Sequence, residues 1–169
     1  MKASQVRNDS EYQKFKTLFT KICDSYDAQQ WVNEAKLLYN ARLSVRIKDS
    51  KGQFSPQLLM DASAIDLSSR SRLAFIAAEL KLKLSKMSSL LDAIYSYIYT
   101  NYCGNIRTLE EKKQFINLVL KRYYKVYDDD NSALEFIESF IKDIDQAGYG
   151  LKNMIECMKL LSETKGKVV

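Results

Sequence analysis

The sequence predicts an all-α fold, a single helical domain over residues 1–169 built as a bundle around one long central heptad helix and expected to be oligomeric. Three observations predict it. One Pro and five Gly in 169 residues leave too few turn formers for a β-sandwich or barrel. Apolar residues recur at spacings of three and four through most of the chain. With 46% hydrophobic and 28% charged residues, the chain can bury one sizeable core, and a second full domain would not fit.

Asp9 or Ser10 can cap a first helix running to about residue 25, with Tyr12, Phe15, Leu18, Phe19 and Ile22 on its apolar face. Asp27 opens a second helix, with Trp31, Ala35, Leu38 and Tyr39 inward. That helix is expected to run on through Ala41-Arg42-Leu43 to Lys48. Apolar and basic residues alternate from Val45 to Ile47, so a short strand is the competing reading there, and helix is preferred. A loop follows over residues 49–56, where Gly52 and Pro56 sit among polar residues.

The strongest periodicity lies in residues 69–102. Leu73, Ala77, Leu80, Leu84, Met87, Leu91, Ile94 and Ile98 alternate spacings of four and three, a heptad seam with Ala77, Leu84, Leu91 and Ile98 at a. A second stripe of Phe75, Ile76, Leu82, Leu90 and Tyr97 makes the apolar face wider than a two-stranded coiled coil needs. Such a 34-residue helix is about 50 Å long, more than a domain of this size requires, so a neighbouring subunit is the expected cover. Leu73, Leu80, Leu84, Met87, Leu91 and Ile94 are accordingly the expected oligomer interface.

Cys103-Gly104-Asn105 ends that helix, and Thr108-Leu-Glu-Glu111 reads as a capping box for another reaching about Tyr127. Asp130 or Ser132 would cap a further helix with Leu134, Ile137, Phe140, Ile141 and Ile144 inward. Gly148 is expected to stop it in a left-handed conformation, ahead of a last amphipathic helix with Leu151, Met154, Ile155, Met158 and Leu161. Residues 163–169 are expected to fray.

The complete lack of histidine removes Ser-His-Asp and Cys-His catalysis and nearly every catalytic zinc site. Cys23, Cys103 and Cys157 lie 80 and 54 residues apart, without metal-ligand spacing, and read as reduced intracellular thiols. Neither a Gly-rich phosphate loop nor a membrane-length apolar run occurs. Glu79-Leu-Lys81 matches one nuclease metal-site spacing but falls inside the heptad helix, where that chemistry expects strands. Asp128-Asp129-Asp130 reads as a loop before a helix, its three acids pointing in different directions. The expectation is a cytoplasmic, non-enzymatic protein with no cofactor, no metal and no membrane contact.

Charge is unevenly placed. The net charge is +5, yet residues 128–148 carry one Lys against seven acids, so everything outside that segment sums to +11. A basic body with one acidic helix suits a polyanionic ligand, or pairing of opposite charges within or between chains, with Arg70, Arg72, Lys81, Lys83 and Lys86 as the complement.

Basic and aromatic residues interleave twice. One group is Arg42, Arg46, Lys48 and Lys51 with Tyr39 and Phe54, and the other is Lys121-Arg122-Tyr123-Tyr124-Lys125-Val-Tyr127. Single-stranded nucleic acid needs cations along its backbone and flat rings for its bases, so both groups are candidate contacts, with Arg42, Arg46, Lys48, Lys51, Lys121 and Arg122 as the binding residues. On a helix, Arg42 and Arg46 would share a face. The competing reading of the second group makes its tyrosines core, covered by lysine stems.

Two stretches resemble the UvsY family of small phage recombination mediators. Leu37-Leu-Tyr-Asn-Ala41-Arg42-Leu43, followed by a charged loop with Gly52-Gln-Phe54-Ser55, resembles that family's basic segment and Gly-containing loop, with Asn40 where the family carries Lys. The helix over residues 133–147 running into Gly148-Tyr149-Gly150-Leu151-Lys152-Asn153-Met154 resembles its closing pattern. Together they cover about a third of the chain, and the long heptad helix has no counterpart in the family. The resemblance implies a helical oligomer that binds single-stranded DNA, engages a single-strand-binding protein and helps load a RecA-like recombinase. The alternative is a helical adaptor or regulator, in phage assembly or polymerase binding, whose charges serve protein partners.

Overall fold

In a computed structural model, residues 3–25 and 27–165 are described. The fold is all-α, with 86% of the described residues helical and no strand among them. Five helices follow in order: α1 (Ala3–Arg7), α2 (Ser10–Asp24), α3 (Ala28–Leu43), α4 (Pro56–Tyr102) and α5 (Leu109–Lys165). Contacts divide the chain into two units, Met1–Ala28 with Ala78–Leu134 and Gln29–Ala77 with Glu135–Val169, so α4 and α5 each supply a segment to both.

In the first unit, Asp9 caps α2 as its sequence position predicts, accepting the Tyr12 backbone N–H at 2.9 Å. The same carboxylate accepts the hydroxyls of Tyr97 at 2.9 Å and Tyr102 at 2.7 Å, which ties the α1–α2 corner to the end of α4. The Tyr12 amide first, then the Tyr102 hydroxyl, hold the Asp9 carboxyl below the usual carboxylate range. Tyr102 is pushed up to about 12 by donating to that carboxylate. Val6 and Tyr12 are buried against Ile94, Ile98, Cys103, Ile116, Val119 and Leu120, and Phe19 against Met87 and Leu91. Leu18, expected inward, is exposed.

All eight residues of the predicted α4 seam are buried, each with at most 5% of its surface exposed. Within one chain they are already covered, so the subunit contact expected at Leu73, Leu80, Leu84, Met87, Leu91 and Ile94 would have to form elsewhere. The second stripe does not act as one face: Ile76 is buried and Leu90 and Tyr97 half-buried, while Phe75 and Leu82 remain 54% and 47% exposed. The helix also starts earlier than the seam, at Pro56, whose missing N–H costs nothing at a first helical position.

The largest departure is α5. Thr108 and Glu111 form the predicted capping box, the Glu111 N–H donating to Thr108 Oγ1 at 3.2 Å and the Thr108 N–H to Glu111 Oε2 at 3.4 Å. The breaks expected at 128–132 and at Gly148 do not occur, and one helix of 57 residues runs through both. Its periodicity explains why. Ile116, Leu120, Tyr123, Tyr127, Asp130, Leu134, Ile137, Ile141, Ile144, Gly148, Leu151, Ile155 and Met158 alternate spacings of four and three, and none is exposed. Breaking the helix would turn half of that stripe to water, which outweighs a cap or a left-handed glycine worth about 1 kcal/mol. Gly148 keeps a negative φ, and Gly52 alone among the described glycines has a positive one.

Asp130 is the one charged member of this stripe. Lys83 Nζ lies 2.8 Å from its Oδ2, and the two side chains are only 4% and 9% exposed. Asp128 and Asp129 face solvent, so the three consecutive acids do point apart. Of the frayed tail expected at residues 163–169, 163–165 are helical and 166–169 lie outside the described residues.

In the second unit, α3 packs on parts of α4 and α5. Ala35 is buried, Tyr39 stacks on Phe140 with centroids 4.2 Å apart, and Glu34 takes a bidentate bond from Arg72. That bond holds Glu34 below the usual carboxylate range. Arg70 likewise donates twice to Asp145. The acidic segment thus finds Arg70 and Lys83 as partners inside the chain, which favours pairing of these opposite charges within the chain over pairing between chains. Leu59, Ala62 and Leu151 form a second core with Val45, Ile47, Ile155 and Met158 at its edge.

Candidate nucleic-acid interface

The first basic–aromatic group sits where α3 gives way to a hairpin. The helix expected through Lys48 ends at Leu43, and the chain then turns through bonds from Ser44 N to Ala41 O and Val45 N to Arg42 O. The alternation of Val45 and Ile47 with Arg46 and Lys48 decides the conformation. Extended backbone sends Val45 and Ile47 to the Leu59 core and leaves Arg46 and Lys48 exposed, whereas a helix would scatter them. Lys48 and Phe54 form an isolated antiparallel bridge, and Asp49 N donates to Gln53 O at 2.8 Å.

The hairpin tip is held by Asp49, whose Oδ1 accepts the backbone N–H groups of Lys51 at 2.8 Å and Gln53 at 2.9 Å. Gly52 closes the turn at φ +76, a conformation L side chains avoid. Asp49 Oδ1 is therefore occupied by backbone, while Arg46, Lys48 and Lys51 are exposed and Phe54 is 42% exposed. Lys48 Nζ stands 4.9 Å from the Phe54 centroid.

Arg42 does not join them. Its Nε lies 2.7 Å from Asp66 Oδ1, with side chains 14% and 9% exposed, and its guanidinium lies 6.0 Å from the Tyr39 centroid. Arg42 and Arg46 share no helix face, because the helix ends between them. Arg42, expected to bind a strand, is instead found paired inside the chain with a largely buried carboxylate.

The second group divides as the core reading of its tyrosines requires. Tyr123, Tyr124 and Tyr127 are half-buried, Tyr123 meeting Phe19 edge-on at 4.7 Å and Tyr12 at 6.3 Å, and burial pushes the Tyr124 phenol up. Lys121, Arg122 and Lys125 stay exposed. Arg122 is joined by two cations that sequence reading left out, Arg7 of α1 and Lys16 of α2, in the lining of a groove of about 340 Å³ between α2 and α5. Gln13, Lys16, Thr20 and Cys23 of α2 face Val119, Arg122 and Val126 of α5 across it. The 3-4-3 spacing of the α2 residues marks one face in the sequence, yet nothing local says that α5 lies opposite.

Glu79 is half-buried and Lys81 exposed within α4, and no group of three His, Cys, Asp or Glu among the described residues could hold a metal ion. No described helix is long and apolar enough to cross a membrane. The thiols are free: Cys103 buried, Cys23 half-buried, Cys157 exposed. No family model matches this chain, and no curated protein or solved structure is significantly similar to it.

Proposed function

We propose that this chain is a non-enzymatic, single-stranded-DNA-binding accessory protein of recombination, acting in the cytoplasm to help load a RecA-like recombinase alongside a single-strand-binding protein. The observation that carries the DNA-binding part is the 45–54 hairpin, which exposes Arg46, Lys48, Lys51 and Phe54, with Lys48 beside the Phe54 ring and its one acid, Asp49, accepting two backbone N–H groups. Cations for phosphates and a ring for a base are what a strand without sequence preference requires. The recombination part rests on the UvsY-like segments, one of which contains this hairpin.

Self-association belongs to the same reading. With the seam buried, its contact has to use other residues, and Leu82, exposed on α4, is a candidate. The adaptor reading is favoured by a different observation, the exposure of Leu67 and Tyr149 beside one groove of the second unit, since large apolar side chains left in water suit a protein partner.

Fluorescence anisotropy with a labelled oligonucleotide separates the two. The mediator reading expects binding that weakens steeply from low to moderate salt, because counterions are released. Absent binding, or affinity indifferent to salt, refutes it and leaves the adaptor, which expects a stable protein complex instead.

A further inference from the structure

The α2–α5 groove of the first unit is not used by the hairpin reading, and its chemistry is asymmetric. Its floor is apolar and aromatic: Phe19 and Tyr12 are buried beneath it, and the Tyr123 ring lies edge-on to both. Its charged lining is entirely cationic. Arg7, Lys16 and Arg122 come from three different helices and make no ion pair among the described residues. No acid lines it. The contrast with the second unit is direct, because the groove beside Leu67 sets Arg70 and Lys152 against Asp66 and Asp145. Three cations without an ion pair, set beside an apolar floor, favour an anion that also brings a flat apolar body.

We infer that this groove is a nucleotide site, in which Arg7, Lys16 and Arg122 hold a phosphate and the base lies over Val119 and Tyr123. A volume of about 340 Å³ suits one nucleotide and falls at the small end of ligand sites. An acidic peptide would match cations set in a row along one element, whereas these three come from three separate helices. The inference goes beyond the single-strand proposal. It concerns residues that the hairpin does not contain, so variants at Arg46 and Lys48 test one and variants at Arg122 and Lys16 the other.

Cys23 lines the groove and reports on it. Burial pushes its thiol up, so alkylation by N-ethylmaleimide is run in mildly alkaline buffer, with the exposed Cys157 as internal control and mass spectrometry resolving the two sites. The expected result is that thymidine 5′-monophosphate or an oligothymidylate slows labelling of Cys23 and leaves Cys157 unchanged. Arg122→Glu or Lys16→Glu, both at exposed positions, should keep native helicity and require about tenfold more ligand for the same protection. Protection by the mononucleotide assigns a free nucleotide, and protection by the oligonucleotide alone assigns a nucleotide within a strand. Titration calorimetry with the same two ligands registers binding independently of the thiol. Inorganic phosphate protecting as well as the nucleotide, oligoglutamate protecting in its place, or neither nucleotide ligand registering in either measurement overturns the inference.

Discussion

Arg42 offers the sharpest separation between holding the fold and touching a ligand. Arg42→Ala leaves the Asp66 carboxylate with 9% of its side chain exposed and without the guanidinium 2.7 Å away. Breaking a buried pair in this way costs about 3–5 kcal/mol, and because Arg42 itself keeps 14% exposure, the lower end, about 3 kcal/mol, is expected. Arg42→Met with Asp66→Leu removes both charges and should recover most of that loss. The hairpin cations behave oppositely. Arg46→Ala with Lys48→Ala touches exposed side chains, so stability should change by no more than about 0.5 kcal/mol. The slope of log affinity against log salt for a single strand should fall by about 1.4, at ~0.7 per phosphate contact. Urea unfolding followed by circular dichroism and anisotropy across a salt series read the two quantities on the same samples. If Arg42→Ala is as stable as the parent but lowers the salt slope, the internal role argued for Arg42 is wrong. If the hairpin variant keeps the parental slope, the hairpin is not the DNA contact.

The Lys83–Asp130 pair should behave as a buried pair too: Lys83→Met alone should cost about 3 kcal/mol in urea unfolding, whereas Lys83→Met with Asp130→Leu should return close to parental stability. A double variant no better than the single one would show that neighbouring packing, not charge, sets the loss. The depressed Asp9 carboxyl stabilises the fold above the ordinary carboxylate pKa and loses that contribution as pH falls through its lower folded value, so the gap in urea midpoint between parent and Asp9→Asn should shrink from about pH 6 to about pH 2. A gap constant over that range would mean that the ionised form has no special role. Gly148→Ala should raise stability by about 0.5–1 kcal/mol, since Gly148 is helical and an added Cβ meets nothing within 4 Å; a lower thermal midpoint would contradict the continuous helix.

The sequence alone determined the helical class, the α4 seam, the Asp9 cap and the Thr108–Glu111 capping box, because each is encoded within a turn or a heptad of the residues that form it. The same reasoning misjudged α5. Asp130 and Gly148 are strong local stop signals, but both sit on an apolar stripe whose burial continues past them, and a partner 47 residues away, Lys83, makes the buried acid tolerable. Val45 to Ile47 shows the reverse weighting, since its period-two alternation was visible and the Leu59 core selected it over helix. Only tertiary structure could pair Arg42 with Asp66 and gather Arg7, Lys16 and Arg122 at one groove. An exposed cation and a cation facing a buried carboxylate look identical along the chain, and they separate only when packing fixes which side chains lose water.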